Sequence, residues 1–234
     1  VQAMSFTTEV KEELSHVEPT CSHCDAATLA ALIRIEGTIF LNGPGHFRLE
    51  ISTDVPQVAR FIISALHSMY SLKTDLTMRR SVLHKTPNWL IDVPAQPGLN
   101  EALSELGIVG ESGLQRGIDH DLIKKECCAS AYLRGVFLGS GFISNPCGDF
   151  HFELTVESQT MANDIVELME AKGIHAKVVE RRNSHTVYLK SGASISAFLA
   201  YVGAHQSALK MENERVLKSV RNDVNRRVNA EIAN

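Results

Sequence analysis

Two short segments of the chain share a pattern but differ at the residue most able to do chemistry. The segment LAALIRIEG, residues 29–37, ends on Glu36 and a glycine, whereas LRGVFLGSG, residues 133–141, carries Ser140 in the place of the acid. A carboxylate is the kind of anionic oxygen ligand that Mg²⁺ and Ca²⁺ prefer. A serine hydroxyl is neutral and a poor ligand for these ions, so the two segments cannot supply a symmetric pair of metal sites.

The five cysteines are further candidate metal ligands. Cys21 and Cys24 form a C-x-x-C pair, while Cys127, Cys128 and Cys147 lie far away in the sequence. A structural zinc site uses four ligands in two well-spaced pairs, and no second pair is visible in the sequence. We therefore predict no metal and no cofactor, and favour free thiols over a zinc site. A disulfide framework is not expected in a reducing compartment.

The composition is that of a folded protein with a sizeable core. The chain has 234 residues, of which 44% are hydrophobic, enough for one large domain or two medium ones. Its net charge of −4 repels nucleic acid unless basic residues are gathered locally. No apolar run approaches the roughly 18 residues of a membrane span, and the start lacks a signal-peptide pattern. We predict a cytoplasmic protein with no membrane contact.

An internal repeat organises the chain. A shift of 104 residues places Leu29 on Leu133, and a shift of 102 places Arg79 on Arg181. In each half the apolar spacing and the turn residues indicate a glycine-ended helix, two strands, a second helix and two further strands. The sequence therefore predicts an α+β fold of two pseudo-symmetric αββαββ repeats.

The two glycine-ended helices are expected to pair about a pseudo-two-fold axis, because small residues let backbones approach closely. The strands of both halves are then expected to join below the pair as one saddle-shaped antiparallel sheet. The residues assigned to the helix-pair interface are Ala31, Gly37, Gly135, Gly139 and Gly141. The predicted domains are a first repeat with its N-terminal segment (5–98), a structured linker (99–128), a second repeat (129–206) and a polar helix (207–234).

Two families resemble this sequence. LAALIRIEG resembles the LAGLIDADG motif of homing endonucleases, with Ala31 for the first glycine, Arg34 for the first aspartate and Glu36 for the second acid. LRGVFLGSG resembles the same motif, with Ser140 in the final acidic place. The segments EVKEEL, AYLRGVFLGSGFISNP and ENERVLKSVRNDVNRRVNAE together resemble the WhiA family of bacterial transcription regulators.

The nuclease resemblance implies that the final acid of each motif holds a divalent metal against the scissile phosphates. Glu36 is then a vestigial catalytic position and Ser140 a lost one, so we predict no catalytic residue and no enzyme activity. Three interpretations of Glu36 stay open: a paired or solvated carboxylate, a weak metal site, or a contact to DNA or a partner. The alternatives for the whole chain are a metal-dependent LAGLIDADG endonuclease and a purely protein- or effector-binding platform.

Basic residues at equivalent hairpins are the candidate DNA contacts. In the nuclease architecture these hairpins face the major groove, where arginine reaches phosphates and guanine edges; a solvated hairpin tip is the alternative. The residues assigned to DNA contact are Arg79, Arg80, Lys85, Arg181, Arg182 and His185.

The WhiA resemblance implies the partners and the setting. It implies binding to double-stranded DNA, mainly through a helix-turn-helix domain beyond Asn234, by a nucleoid-associated regulator of cell-division and sporulation genes. It also implies a WhiB-type iron–sulfur regulator as a partner in actinobacteria.

Overall fold

The computed structural model of the chain describes residues 4–41, 43, 46–80 and 87–232, apart from the side chain of Arg80. A short helix, α1 (Phe6–Leu14), precedes the first repeat. The first repeat consists of α2 (Cys24–Glu36), β1 (Gly37–Leu41), β2 (Phe47–Thr53), α3 (Pro56–Tyr70), β3 (Asp75–Arg80) and β4 (Pro87–Val93). A linker follows with α4 (Leu99–Glu105), β5 (Val109–Gly110) and β6 (Gly113–Leu114).

The second repeat has the same order of elements as the first, so the predicted αββαββ duplication is confirmed. It consists of α5 (Glu126–Ser140), β7 (Gly141–Ile143), β8 (Phe152–Val156), α6 (Gln159–Glu170), β9 (Lys177–Arg181) and β10 (Ser184–Leu189). Two helices follow it, α7 (Gly192–Val202) and α8 (His205–Ile232).

Each repeat has its own antiparallel sheet, in the orders β1-β2-β4-β3 and β7-β8-β10-β9. The registers are equivalent, because Gly37 pairs with Ile51 as Gly141 pairs with Leu154. The predicted saddle therefore consists of two four-stranded sheets, one from each repeat, instead of one continuous sheet. Strands β1 and β7 continue directly from α2 and α5, so they begin at the spacing of two packed helices, about 8 Å. Two strands can pair only at a spacing of about 4.8 Å, and β1 and β7 therefore do not hydrogen-bond to each other.

The core is built around α2 and α5. Every residue of α2 from Ala26 to Ile33 is buried, as expected for a helix covered on all sides. Helices α3 and α6 each bury one predicted apolar stripe against a sheet. The buried stripe residues include Val58, Ile62 and Leu66 in α3 and Met161, Ile165 and Met169 in α6.

Helix α1 is tied to the second repeat and to α8. Thr7 Oγ1 donates to the carbonyl oxygen of Ile143 at 2.9 Å. The carboxylate of Glu13 accepts hydrogen bonds from the backbone N–H groups of Gln206 and Ser207 at the start of α8. These bonds fix α1 beside the C-terminal end of α5. Across the described segments, we find no helix whose length and apolar character would let it span a membrane.

Candidate functional site at the end of the helix pair

Small residues bring α2 and α5 into close contact. A Cβ atom added to Gly135 would lie 2.7 Å from both the Ala31 Cβ and the carbonyl oxygen of Thr28. One added to Gly139 would lie 2.7 Å from Cγ2 of Ile35. Since real Cβ atoms do not approach other atoms so closely, these two glycines allow the helices to run side by side to their C-terminal ends.

Gly37 and Gly141, also assigned to the helix-pair interface, have their nearest neighbours in their own helices. A Cβ atom on Gly37 would lie 2.3 Å from the carbonyl oxygen of Ile33, and one on Gly141 would lie 2.5 Å from that of Phe137. Both glycines have extended backbone, with φ of −91° and −68°. They permit an abrupt change from helix to strand, which leaves the last residue of each helix at the base of the pair.

Glu36, the last residue of α2, is partly buried at this base. Its Oε2 atom is shielded from solvent and has no hydrogen-bond partner among the described residues. Burial raises the pKa of Glu36 to about 8. The Lys11 charge and a hydrogen bond with Thr53 lower it by less, and the Asp54 charge adds the smallest effect, which raises it. A carboxyl group with this pKa is mostly neutral at pH 7.

Lys11 of α1 reaches the same place from outside the two repeats. Its Nζ donates to the carbonyl oxygen of Gly139 at 3.4 Å. Burial lowers the pKa of Lys11, while the charges of Asp54 and Glu36 raise it. The side-chain nitrogen of Lys11 therefore shares this region with Glu36, and each group affects the pKa of the other.

Ser140 occupies the equivalent end of α5, and its hydroxyl group is engaged by the protein. The backbone N–H of Thr155 donates to Ser140 Oγ at 3.2 Å, and Ser140 Oγ donates to the carbonyl oxygen of Val136 at 3.5 Å. The two helix ends are equivalent in position and different in chemistry.

Two strand acids flank the base at equivalent positions, Glu50 on β2 and Glu153 on β8. Glu50 pairs in register with Thr38, and Glu153 with Phe142, each one residue after the glycine that opens its first strand. This equivalence agrees with the sequence alignment of the two halves.

Both strand acids are neutralised within their own repeat. Arg48 contacts Glu50 at 2.5 Å and Asp92 at 2.8 Å. Arg181 and His151 contact Glu153 at 2.9 Å and 2.8 Å. Neither acid is therefore presented as a free ligand, and two of the basic side chains near the sheets are already paired.

Of the residues assigned to DNA contact, Arg79, Arg181 and Arg182 have exposed side chains. Arg79 lies on β3 opposite Asn88, and Arg182 lies in the two-residue turn between β9 and β10, with a left-handed φ of 47°. Lys85 and the side chain of Arg80 lie outside the described residues.

His185 differs from its predicted role in DNA contact. Ser184 pairs with Arg181, so the alternation of a strand places His185 on the opposite face of β10, together with buried Val187 and Leu189. Its Nδ1 atom is shielded from solvent. A side chain on this face points toward α6 rather than toward a ligand on the exposed side of the sheet.

Sequence reasoning missed Lys11 and Arg48, the two cations that compensate the acids of the first repeat. The segment EVKEEL contains Lys11, but its helical pattern alone does not show which element it will pack against. Glu50 lies two residues after Arg48 and on the same face of β2. This i, i+2 spacing in a predicted strand is the sequence signal that could have indicated the ion pair.

Two αββαββ repeats joined by a glycine-lined helix pair define the LAGLIDADG class of fold. A crystal structure of I-DmoI in complex with DNA and Mn has this fold, with a TM-score of 0.54 at 10% identity over 78% of this chain and 98% of that one. At such identity the likeness concerns the fold alone.

The family is shown by closer matches. The WhiA N-terminal LAGLIDADG-like domain matches residues 22–109, and the WhiA LAGLIDADG-like domain matches residues 129–221. The chain is 42% identical over 234 residues to a probable cell division protein WhiA of Desulforamulus reducens, covering 99% of this chain and 73% of the relative. The corresponding protein of Heliobacterium modesticaldum is 38% identical over 233 residues, with the same coverage. This chain belongs to the WhiA family.

A solved structure of the same family shares the fold across nearly the whole chain. Full-length DUF199/WhiA from Thermatoga maritima matches with a TM-score of 0.72 at 20% identity, over 99% of this chain and 72% of that chain.

Proposed function

We propose that this chain is a catalytically inactive, homing-endonuclease-like module of a DNA-binding regulator of cell division. The observation that carries the proposal is the base of the helix pair, where the partly buried Glu36 carboxyl group, the Lys11 side chain and the hydrogen-bonded Ser140 hydroxyl group take the place of two metal-binding acids. The name of the relatives, probable cell division protein WhiA, supports the biological setting.

Phosphodiester cleavage by this class of scaffold needs a divalent metal to generate the nucleophile and to stabilise the leaving oxygen. Mg²⁺ binding to Glu36 would require the carboxyl group to lose its proton, and burial raises the pKa of this group to about 8. It would also place a divalent ion beside the basic side chain of Lys11. Both effects oppose binding, and Ser140 supplies no charge in compensation.

DNA contact is proposed for the sheet surfaces that face away from α3 and α6. Among the described residues, no ion pair involves Arg79 or Arg182. Arg48 and Arg181 are partly neutralised by acids, which reduces the positive field available to phosphates. We therefore expect weak duplex binding in which only a few phosphates are neutralised.

A nicking assay tests the inactivity. The wild-type chain and Glu36→Gln are incubated with supercoiled plasmid in Mg²⁺ or Mn²⁺. We expect no difference between the two proteins and no conversion above the buffer control. Metal-dependent nicking that Glu36→Gln abolishes would establish the endonuclease alternative instead.

A salt titration tests DNA contact. With labelled duplex, two neutralised phosphates give a slope of about −2 in a plot of log affinity against log salt. Arg79→Ala and Arg182→Ala are each expected to reduce the slope by about 1. Arg60→Ala is the matched control, because this exposed arginine lies on α3. A slope unaffected by the first two variants would remove the proposed contacts.

Exposed aromatic side chains favour a second candidate, a protein-binding platform. Phe40 on β1 is 37% exposed and Phe142 on β7 is 49% exposed. Aromatic residues on an accessible surface are enriched at protein interfaces. Absence of salt-sensitive DNA binding in the titration would favour this candidate over DNA contact.

A further inference from the structure

Four cysteines meet at the N-terminal end of the helix pair, opposite the end that carries Glu36. Cys24 is the first residue of α2, and Cys127 and Cys128 lie in the first turn of α5. The Sγ atom of Cys21 lies 3.5 Å from that of Cys24 and 3.6 Å from those of Cys127 and Cys128. All four sulfur atoms lie within 4.8 Å of one another.

These separations suit one tetrahedral ion. Four thiolates at about 2.3 Å from a central Zn²⁺ have sulfur atoms about 3.8 Å apart. An iron–sulfur cluster distributes its cysteines over more than one iron and therefore holds them further apart. A disulfide needs sulfur atoms about 2.05 Å apart, whereas all four thiols here are free.

We propose that Cys21, Cys24, Cys127 and Cys128 form a structural zinc site that joins the two repeats of this protein. Four protein thiolates fill the tetrahedral positions and leave none open for water or substrate, which distinguishes a structural zinc site from a catalytic one.

The surroundings of the cluster favour thiolates. Both helices begin at the cluster, and the partial positive charge of a helix N-terminus stabilises nearby anions. Arg134 of α5 also interacts electrostatically with Cys24. Cys24 and Cys128 are each 2% exposed, while Cys21 and Cys127 are half-buried. The site is thus shielded on the protein side and open enough for an ion to enter.

The position of the cluster, far from Glu36, favours a structural role over a role in nucleic-acid binding or cleavage. Helix α2 has 13 residues, so the cluster lies about 18 Å from Glu36 along the helix axis. The two cysteine pairs come from different repeats, and a bound ion closes the long loop of chain between them. Such a link restricts the unfolded chain and makes metal binding part of the folding free energy. The inference stands whether or not the proposed function is correct.

A measurement of the metal content of the purified chain tests the proposal directly. The full chain is purified under reducing conditions without chelators, and its metals are measured by inductively coupled plasma mass spectrometry. We expect about one zinc per chain, and about one equivalent of Co²⁺ in its place after exchange, with the absorption bands of a tetrahedral tetrathiolate complex. A chain that binds neither Zn²⁺ nor Co²⁺ when reduced would overturn the proposal, as would iron as the bound metal.

Single cysteine variants identify the ligands. Cys21→Ser and Cys127→Ser, at the two half-buried positions, are expected to lower zinc content at least fivefold in chelator-buffered solution. Cys147→Ser is the matched control, because Cys147 is exposed and lies outside the cluster, and it is expected to keep full occupancy. Equal zinc content in all three variants would contradict the assignment.

A measurement on the wild-type chain does not depend on whether the variants fold. Removal of zinc with a strong chelator under reducing conditions is expected to lower the Tm by more than about 5 °C, and added Zn²⁺ but not Mg²⁺ is expected to restore it. An unchanged Tm after complete zinc removal would overturn the structural role. A disulfide within the cluster, detected by mass spectrometry in protein freshly isolated without reductant, would overturn the zinc site.

Discussion

The two ends of one helix pair carry opposite ligand chemistry. At the N-terminal end, α2 and α5 bring together four sulfur ligands, two from each repeat. At the C-terminal end the same helices bring together Glu36 and Ser140, with Lys11 inserted from α1. Gly135 and Gly139 allow the helices to pack closely along their length, so two different sets of side chains meet at the two ends. The proposed metal lies at the end where soft ligands, and not hard oxygen ligands, converge.

The largest expected effect comes from separating the helices, which would disturb both ends together. Gly135→Ala places a Cβ 2.7 Å from Ala31 Cβ and from the carbonyl oxygen of Thr28. We expect a loss of about 2 kcal/mol in the free energy of unfolding, despite the better helix propensity of alanine. Urea denaturation measures it. Gly148→Ala is the control, since the nearest atom to its new Cβ would be 3.5 Å away; equal stability of the two variants would show that the pair is not tightly packed.

A pH-dependent effect is expected at the acid end alone. The pKa of Glu36 is raised from 4.5 to about 8 by burial, so ionisation destabilises the folded state increasingly from about pH 4.5 and fully above about pH 8. Glu36→Gln is expected to change stability little at pH 4 and to increase it by about 1 to 3 kcal/mol at pH 9.

Denaturation at a series of pH values separates this effect from a general one. Glu12→Gln, at an exposed position on α1, supplies the control. A constant difference between Glu36→Gln and the wild type across the series would mean that the carboxyl group is not held neutral by burial.

The smallest effect is expected at the serine end. Ser140→Ala removes the acceptor of the Thr155 N–H group, whose hydrogen bond measures 3.2 Å. We expect a loss of about 0.5 to 1 kcal/mol in the free energy of unfolding, and none for Ser68→Ala at an exposed position of α3. A gain in stability for Ser140→Ala would show that the hydrogen bond from the Thr155 N–H group to the Ser140 hydroxyl group does not stabilise the fold.

The sequence predicted the features that depend on local pattern. The order of helices and strands in each repeat follows from the apolar spacing, the turn residues and the shift that superimposes the two halves. Strand alternation and helical periodicity are properties of short segments, so they can be predicted without knowledge of the tertiary contacts.

Features that depend on packing between distant segments escaped prediction. Lys11 reaches Gly139 only because α1 docks on the second repeat, and Cys127 meets Cys21 only because the two helices pair. The face of β10 on which His185 lies depends on the register of the strand, because a shift of one residue moves each side chain to the opposite face. Each of these outcomes requires the tertiary arrangement.

Binding of Mn²⁺ tests most directly the central claim that the acid end holds no divalent metal. The zinc-loaded chain is titrated with Mn²⁺ at pH 7, and free Mn²⁺ is followed by electron paramagnetic resonance, for the wild type and for Glu36→Gln. We expect identical titrations for the two proteins, with no Mn²⁺ held at Glu36. A bound Mn²⁺ that is lost in Glu36→Gln would contradict it.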